Sequence, residues 1–307
     1  MQEKEVNEKR RRKALADKIS KMFFTAAAIL SGSALLVIVV FIVIRGIAPF
    51  LPTYEYGRQY LGEFLFGKVY RADRQVYGIG FIVVNTLITG FMALLLAFPV
   101  AVLTALFVVK IAGKTLSGLL TNVIELLAGI PSVVYGVFAA GMITRMVSRL
   151  AAAWGYQTAG GSSTLAAVLV LAIMIFPTIT ALAASAIKAV SQELIDGSLA
   201  LGATTTQTNF RIVLNDAKSG IFAGAVLGLG RAFGEATAVS MVAGNKMYGP
   251  TFNLFDITRT LTTTMLTGMK ETGGLDYDIR FSIGIVLIVI ILFANFLLNK
   301  MKDWIGN

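Results

Sequence analysis

The chain predicts an all-α polytopic membrane protein with six transmembrane helices. Three observations lead there. Of 307 residues, 56% are hydrophobic and only 14% charged, with a mean hydropathy of +0.76; an average soluble chain carries roughly 25% charged residues. Six apolar stretches are each long enough to cross about 30 Å of hydrocarbon. There is neither cysteine nor histidine, which removes disulfides, thiolate nucleophiles, imidazole triads and most zinc or haem ligation. Few enzyme mechanisms survive, and no cofactor or metal is expected in this chain.

Residues 1–22 are basic, with the run Lys9, Arg10, Arg11, Arg12 and Lys13. A nucleic-acid tail and a topology anchor both fit such a run. No aromatics interleave and an apolar stretch follows at once, so the anchor is favoured and no nucleic acid is expected. That stretch, 23–44, is too long for a signal-peptide core and lacks a small-residue cleavage site. It is read as the first span, with its N-terminus inside.

The other spans are expected at 81–109, 115–143, 163–186, 221–243 and 281–301, making 23–301 one membrane domain. External loops then fall at 45–80, 144–162 and 244–280, a long cytoplasmic loop at 187–218, and a cytoplasmic C-terminus at 302–307. Lys and Arg are denser in the inner segments, the bias of a cell-membrane protein with both termini cytoplasmic; part of the net charge of +10 therefore reports topology. No repeat of 20–50 residues is visible. Pro99, Pro131 and Pro177 fall within spans, where neighbours must satisfy the freed carbonyls. Gly224, Gly228, Gly230 and Gly234 include spacings of four and predict a small-residue packing face.

Span five carries Arg231 and Glu235, and span three carries Glu125. A mid-membrane arginine costs at least about 2.5–3.5 kcal/mol. In a continuous helix Glu235 lies about 40° from Arg231, so the two share a face. One reading is an ion pair that neutralises itself inside the bundle. The other, favoured, places Arg231 on a substrate path, because a guanidinium fork suits an oxyanion and keeps its charge in low dielectric. Glu235 then orients Arg231, limits its affinity or accepts hydrogen bonds from a protonated oxyanion. Glu125 is either a second partner for Arg231 or a protonated packing residue.

The inner loop SQELIDGSLALGATTTQTNFRIVLND reads as helix–glycine–helix. Leu194, Leu199 and Leu201 lie in a first short helix that Gly202 ends, and Thr204 to Thr206 cap a second that continues through Phe210, Ile212 and Leu214. It is either a docking element for a soluble motor or a surface connector.

This loop resembles the "EAA" loop of permease subunits in ATP-binding-cassette importers, which reads Glu-Ala-Ala, a glycine six residues after the Glu, and Ile-x-Leu-Pro beginning ten residues after that glycine. The Glu position is Asp196, the alanines are Gly197 and Ser198, the glycine is Gly202, and Ile212 and Leu214 match; Asn215 replaces the proline. Four positions thus depart from the pattern. The stretches ELLAGIPSVVYG from Glu125 and GLGRAFGEATAVSMVAGN from Gly228 are similar to signature segments of the phosphate-specific transport (Pst) permeases, nearer to the PstC subunit than to PstA. LAIMIFPT around Pro177 and the TLT at Thr260 to Thr262 fit the same family.

The resemblance covers about residues 20–300. It implies a type I importer permease fold in a prokaryotic plasma membrane and an ATP-driven import of inorganic phosphate. It also implies a second, PstA-like permease, PstB-like ATPases that bind ATP and Mg, and a PstS-like external phosphate-binding protein. It puts Arg231, Glu235 and Glu125 on the phosphate path, and Asp196, Gly197, Ser198, Gly202, Ile212 and Leu214 at the ATPase contact. The chain itself has no glycine-rich Lys-Ser/Thr nucleotide loop. Phe64, Phe66, Tyr70 and Tyr77 either meet the binding protein or anchor at the membrane surface. Rival readings are a permease for sulfate, molybdate or phosphonate, an ATP-independent anion channel or sensor, and a membrane hydrolase using Glu125 and Glu235.

Overall fold

The computed structural model describes the backbone of residues 2–269 and 271–306, and the side chains among these except 2–12, 16 and 303–306. Lys9, Arg10, Arg11 and Arg12 of the basic run therefore lie outside the described side chains.

Helix α1, Gln2–Ile47, leads into the 3-10 turn Ala48–Phe50. Its apolar surface is largely exposed, as suits a helix solvated by lipid, and it is joined to the bundle mainly through the last helix. A short helix α2, Leu61–Phe66, and a two-stranded hairpin, β1 Tyr70–Arg71 with β2 Val76–Tyr77, follow. Next come α3, Gly80–Leu106, with a terminal π turn, and α4, Lys114–Gly129. Then α5, Ser132–Phe138, runs through a second π turn into α6, Thr144–Ala153. Helix α7, Thr164–Lys188, is succeeded by α8, Gln192–Ala200, then α9, Thr205–Gln207, a π turn, and α10, Leu214–Asp216. The chain closes with α11, Lys218–Gly234, α12, Thr237–Ala243, α13, Leu261–Leu266, and α14, Leu275–Gly306.

Among the described residues five helical stretches are long and apolar enough to cross a membrane, and a sixth arises if Thr205–Asp216 and Lys218–Gly234, bent by 64°, form one span. Two expected spans are not single helices. The stretch 115–143 breaks at Ile130 and Pro131, and the membrane-length piece is Ser132–Ala153, which runs ten residues into the expected loop 144–162. Proline lacks the N–H that would continue α4 and pushes Ile130 into an extended conformation (ψ 128°). The stretch 221–243 stops being helical at Gly234 and resumes as α12.

α7 is the central post, packed most extensively against α3 and α11. Ala93, Ala97, Ala101 and Ala105 are buried along α3 at four-residue spacing, so the two backbones approach closely. Gly224 and Gly228 do likewise on α11, for a Cβ at Gly228 would sit 2.8 Å from Ile179. Gly230 and Gly234 face open space and are not part of that seam.

At the end of α7 bearing Thr164, hereafter the α13 pole, the segments 45–80 and 244–280 interlock. Phe64, Tyr70 and Tyr77 are core residues there, packed with Leu261, Leu275 and Ile279. Of the four aromatics expected to meet a partner or the membrane surface, Phe66 alone is exposed. α8 to α10 lie at the opposite pole.

Candidate functional site at the broken helices

Arg231 occupies the last turn of α11 and is half-buried. The carbonyl end of a helix carries partial negative charge, which favours a cation and offsets part of the cost of burying it. Its Nη1 donates to the Thr178 hydroxyl of α7 at 2.9 Å. Thr178 lies near the middle of α7, roughly 15 Å from the nearer helix end at 1.5 Å per residue. The guanidinium is thus held deep in the bundle by a neutral partner.

Glu235 does not share a helical face with Arg231. It sits just beyond the end of α11 with extended backbone (φ −77°, ψ 116°), and its Oε1 accepts from the Ala238 N–H at 3.0 Å. Its carboxylate therefore caps α12, and no Arg231–Glu235 ion pair forms among the described residues. The Glu235 carbonyl accepts from the Thr262 hydroxyl at 2.9 Å. Broken backbone at membrane depth is tolerated only when protein groups satisfy it; here the Glu235 carboxylate accepts from the freed Ala238 N–H, and Thr262 of α13 donates to the Glu235 carbonyl.

The second break, at Pro131, is repaired in a similar way. Proline cannot donate to the Leu127 carbonyl, and the Tyr135 hydroxyl does so at 2.8 Å. α5 and α12 then meet at Gly136, where a Cβ would lie 3.0 Å from Ala238 Cα and 2.6 Å from Met241 Sδ. Neither Thr178 nor Tyr135 was picked out from sequence. Tyr135 sits four residues after Pro131 and serves the carbonyl that the proline frees, whereas Thr178, directly after Pro177, serves Arg231.

Glu125 is exposed on α4 and forms no ion pair with Arg231 or any other residue among the described residues. It lines a cleft of about 230 Å³ with Thr121, Thr180, Ser185 and Lys188. Both roles expected for it, partner of Arg231 and packed residue, are therefore corrected.

At the α8 pole the helix–glycine–helix pattern is present. Ser191 caps α8, Gly202 takes φ +87°, and Thr204 with Gln207 forms a reciprocal capping box for α9. Ser198 and Thr208 hydroxyls bond at 2.9 Å across the turn. Leu194, Leu199, Leu201 and Phe210 are exposed, whereas Ile195 and Leu214 pack on the core of α3 and α7. Asp196 and Gly197 are exposed, and Ile212 is half-buried.

At the α13 pole a cleft of about 860 Å³ is lined by Arg71, Arg74, Gln157, Lys246 and Tyr248. Asp256 accepts from the Thr251 hydroxyl (2.7 Å) and from the Lys246 ammonium (3.0 Å), which together hold its carboxyl below the usual range. Arg259, only 8% exposed, donates to Thr264 Oγ1 at 3.0 Å and stacks on Tyr70. Burial lowers its pKa.

A family model described as "binding-protein-dependent transport system inner membrane component" matches residues 97–307. A probable ABC transporter permease, YqgH of Bacillus subtilis, is 32% identical over 300 residues, 95% of this chain and 94% of that protein. The phosphate transport system permease PstC of Pasteurella multocida is 31% identical over 242 residues, 74% and 75% of the two chains. PstC of Haemophilus influenzae is 27% identical over 294 residues, 89% and 93%. Among solved structures, a bacterial alginate ABC transporter in complex with its alginate-bound periplasmic protein superposes with a TM-score of 0.64 at 18% identity, over 95% of this chain and 98% of that one. The methionine transporter MetNI, facing inward, gives 0.51 at 19% identity over 75% and 95%. These likenesses establish the type I importer permease fold for a multi-pass membrane protein. By sequence the chain belongs to the family of binding-protein-dependent transport system inner membrane components.

Proposed function

We propose that the chain is the transmembrane permease subunit of an ATP-driven importer of inorganic phosphate. The observation that carries this reading is Arg231, a guanidinium near mid-bundle whose hydrogen-bond partner is the neutral Thr178. A cation so placed is costly unless an anion passes it. Relatives whose names specify phosphate transport supply the substrate.

Arg231 offers a planar donor fork to the phosphate oxygens, and Glu235, one side of the break, accepts from the protonated ion and weakens its hold. Glu125 lies further along the same route. A second, PstA-like permease completes the path, and PstB-like ATPases bind ATP and Mg. They dock on the exposed Leu194, Leu199, Leu201 and Phe210, with Asp196, Gly197, Ser198, Gly202 and Ile212 setting the turn and Leu214 anchoring it to the core. A PstS-like binding protein delivers phosphate at the basic cleft of the α13 pole, which places that pole outside a prokaryotic plasma membrane and both termini in the cytoplasm.

The test is uptake of labelled phosphate by the complete importer in proteoliposomes. Arg231→Gln is expected to abolish uptake while subunits co-purify at normal stoichiometry. Uptake by that variant at the wild-type rate would falsify the path role. Accumulation of sulfate or molybdate in place of phosphate would move the substrate to another oxyanion.

A further inference from the structure

The cleft between α4, α7 and the end of α3 lies toward the α8 pole, beyond the Arg231–Thr178 contact. Glu125 and Lys188 face it from opposite helices, and both are exposed and form no ion pair among the described residues. The Thr121 and Thr180 hydroxyls are occupied, donating to the carbonyls of Ser117 (2.8 Å) and Phe176 (2.7 Å). Ser185 is exposed, and its hydroxyl makes no such bond among the described residues. The free donors of the cleft are thus an ammonium and a hydroxyl.

Ser185 follows Thr178 by seven residues, two turns along one face of α7, a rise of about 10 Å. Lys188 is one further turn toward the same end. α7 therefore carries Thr178, the partner of Arg231, and Ser185 on one face with the apolar turn of Ala181 and Leu182 between them, and it ends at a second cation. A cleft of about 230 Å³ has room for a four-oxygen anion with part of its hydration.

We propose that this cleft is a second oxyanion station, with Lys188 as its cation, Ser185 as a hydroxyl donor and Glu125 as the group that limits residence. This rests on the reading of Arg231 as a path residue. A lysine ammonium is a compact, strongly hydrated point charge, whereas arginine grips with a rigid fork. The deep site is built to hold, and the site nearer the pole to pass on. Glu125 repels a fully ionised anion and accepts a hydrogen bond from a protonated one, so its presence shortens occupancy without excluding the hydrogen phosphates.

The chain contains no cysteine, so Lys188→Cys gives a unique thiol in this subunit. In the reconstituted importer, K188C is expected to lower maximal phosphate uptake about tenfold, the weight of one charge-assisted hydrogen bond, with little change in KM. An ammonium-bearing thiosulfonate should restore the rate and a sulfonate-bearing one should not. Millimolar inorganic phosphate on the α8 side should slow labelling. Lys188→Arg serves as the folding control: it should assemble at wild-type stoichiometry and, with a rigid fork in place of a point charge, release phosphate more slowly than lysine does.

Wild-type uptake by K188C, equal rescue by both reagents, or labelling indifferent to phosphate would each overturn the second station. Lipid headgroups offer the same phosphate chemistry. Vesicles of phosphatidylcholine alone and with phosphatidylglycerol separate the sources, and labelling that follows the lipid instead of added phosphate overturns the proposal too. Arg231→Gln is run alongside. If it transports normally, the underlying path reading fails; if it is inactive while K188C is normal, only the second station falls.

Discussion

Arg231 on α11 is hydrogen-bonded to Thr178 on α7 at 2.9 Å, and the carboxylate four residues further on, Glu235, is turned away to cap α12. The guanidinium is therefore oriented without being neutralised, and its remaining donors can serve a ligand. Hydrogen bonds to charged groups contribute about 1.5–3 kcal/mol. Thr178→Val keeps the shape and removes the acceptor. It is expected to lower phosphate uptake about tenfold with assembly intact, while Thr178→Ser stays near the wild-type rate. Equal uptake by all three proteins would show that the contact does not position Arg231.

Glu235 has one observed role, as a cap, and one proposed role, on the path. As an N-terminal cap its loss costs about 1 kcal/mol; in the function proposed above, its charge also tunes affinity. Glu235→Gln retains an acceptor for the Ala238 N–H and loses the charge; Glu235→Ala loses both. The Gln variant is expected to melt within a degree or two of wild type and to hold phosphate longer, with reduced turnover. The Ala variant should also lower the detergent melting midpoint. A Gln variant that melts as early as the Ala variant would mean that the negative charge, and not the cap geometry, stabilises the break.

What could be read from the chain was what local chemistry decides. Gly202 with Thr204 three residues before Gln207 carries its own turn and cap, and the helix–glycine–helix appears as expected. Gly224 and Gly228 likewise mark a packed seam. The break after Gly234 was hidden because the donor that satisfies the Glu235 carbonyl, Thr262, lies 27 residues away in sequence. The run 221–243, apolar apart from Arg231, Glu235, Thr237 and Ser240, gives no periodic sign of it. Arg259 and Arg280 read as loop charges because their partners are backbone carbonyls, threonine hydroxyls and the Tyr70 ring, none of which announces itself as an acceptor for a buried cation. Phe64, Tyr70 and Tyr77 were misplaced for the same reason, as loop residues buried by a second loop.

Arg280 shows what such a buried cation does. It is 5% exposed, its Nε donates to the Asp276 carbonyl at 3.1 Å, and its Nη1 donates to the carbonyls of Thr264 (2.9 Å), Met265 (3.0 Å) and Thr267. The last carbonyls of α13 have no partner inside that helix, and a cation at this end also matches the helix dipole. α13 in turn bonds the break at Glu235 through Thr262. Arg280→Met would strand several buried acceptors, at about 1–3 kcal/mol each, and is expected to lower the melting midpoint and expose the 244–280 segment to protease. Arg280→Lys keeps the charge but replaces a fork with a point donor, so it should recover only part of the loss. Phosphate uptake should fall in the same order, because the break beside Arg231 loses its support, while the ATPase still co-purifies through the opposite pole. If Arg280→Met melts and transports like wild type, α13 does not need this cap and the link from the α13 pole to the broken helix is wrong.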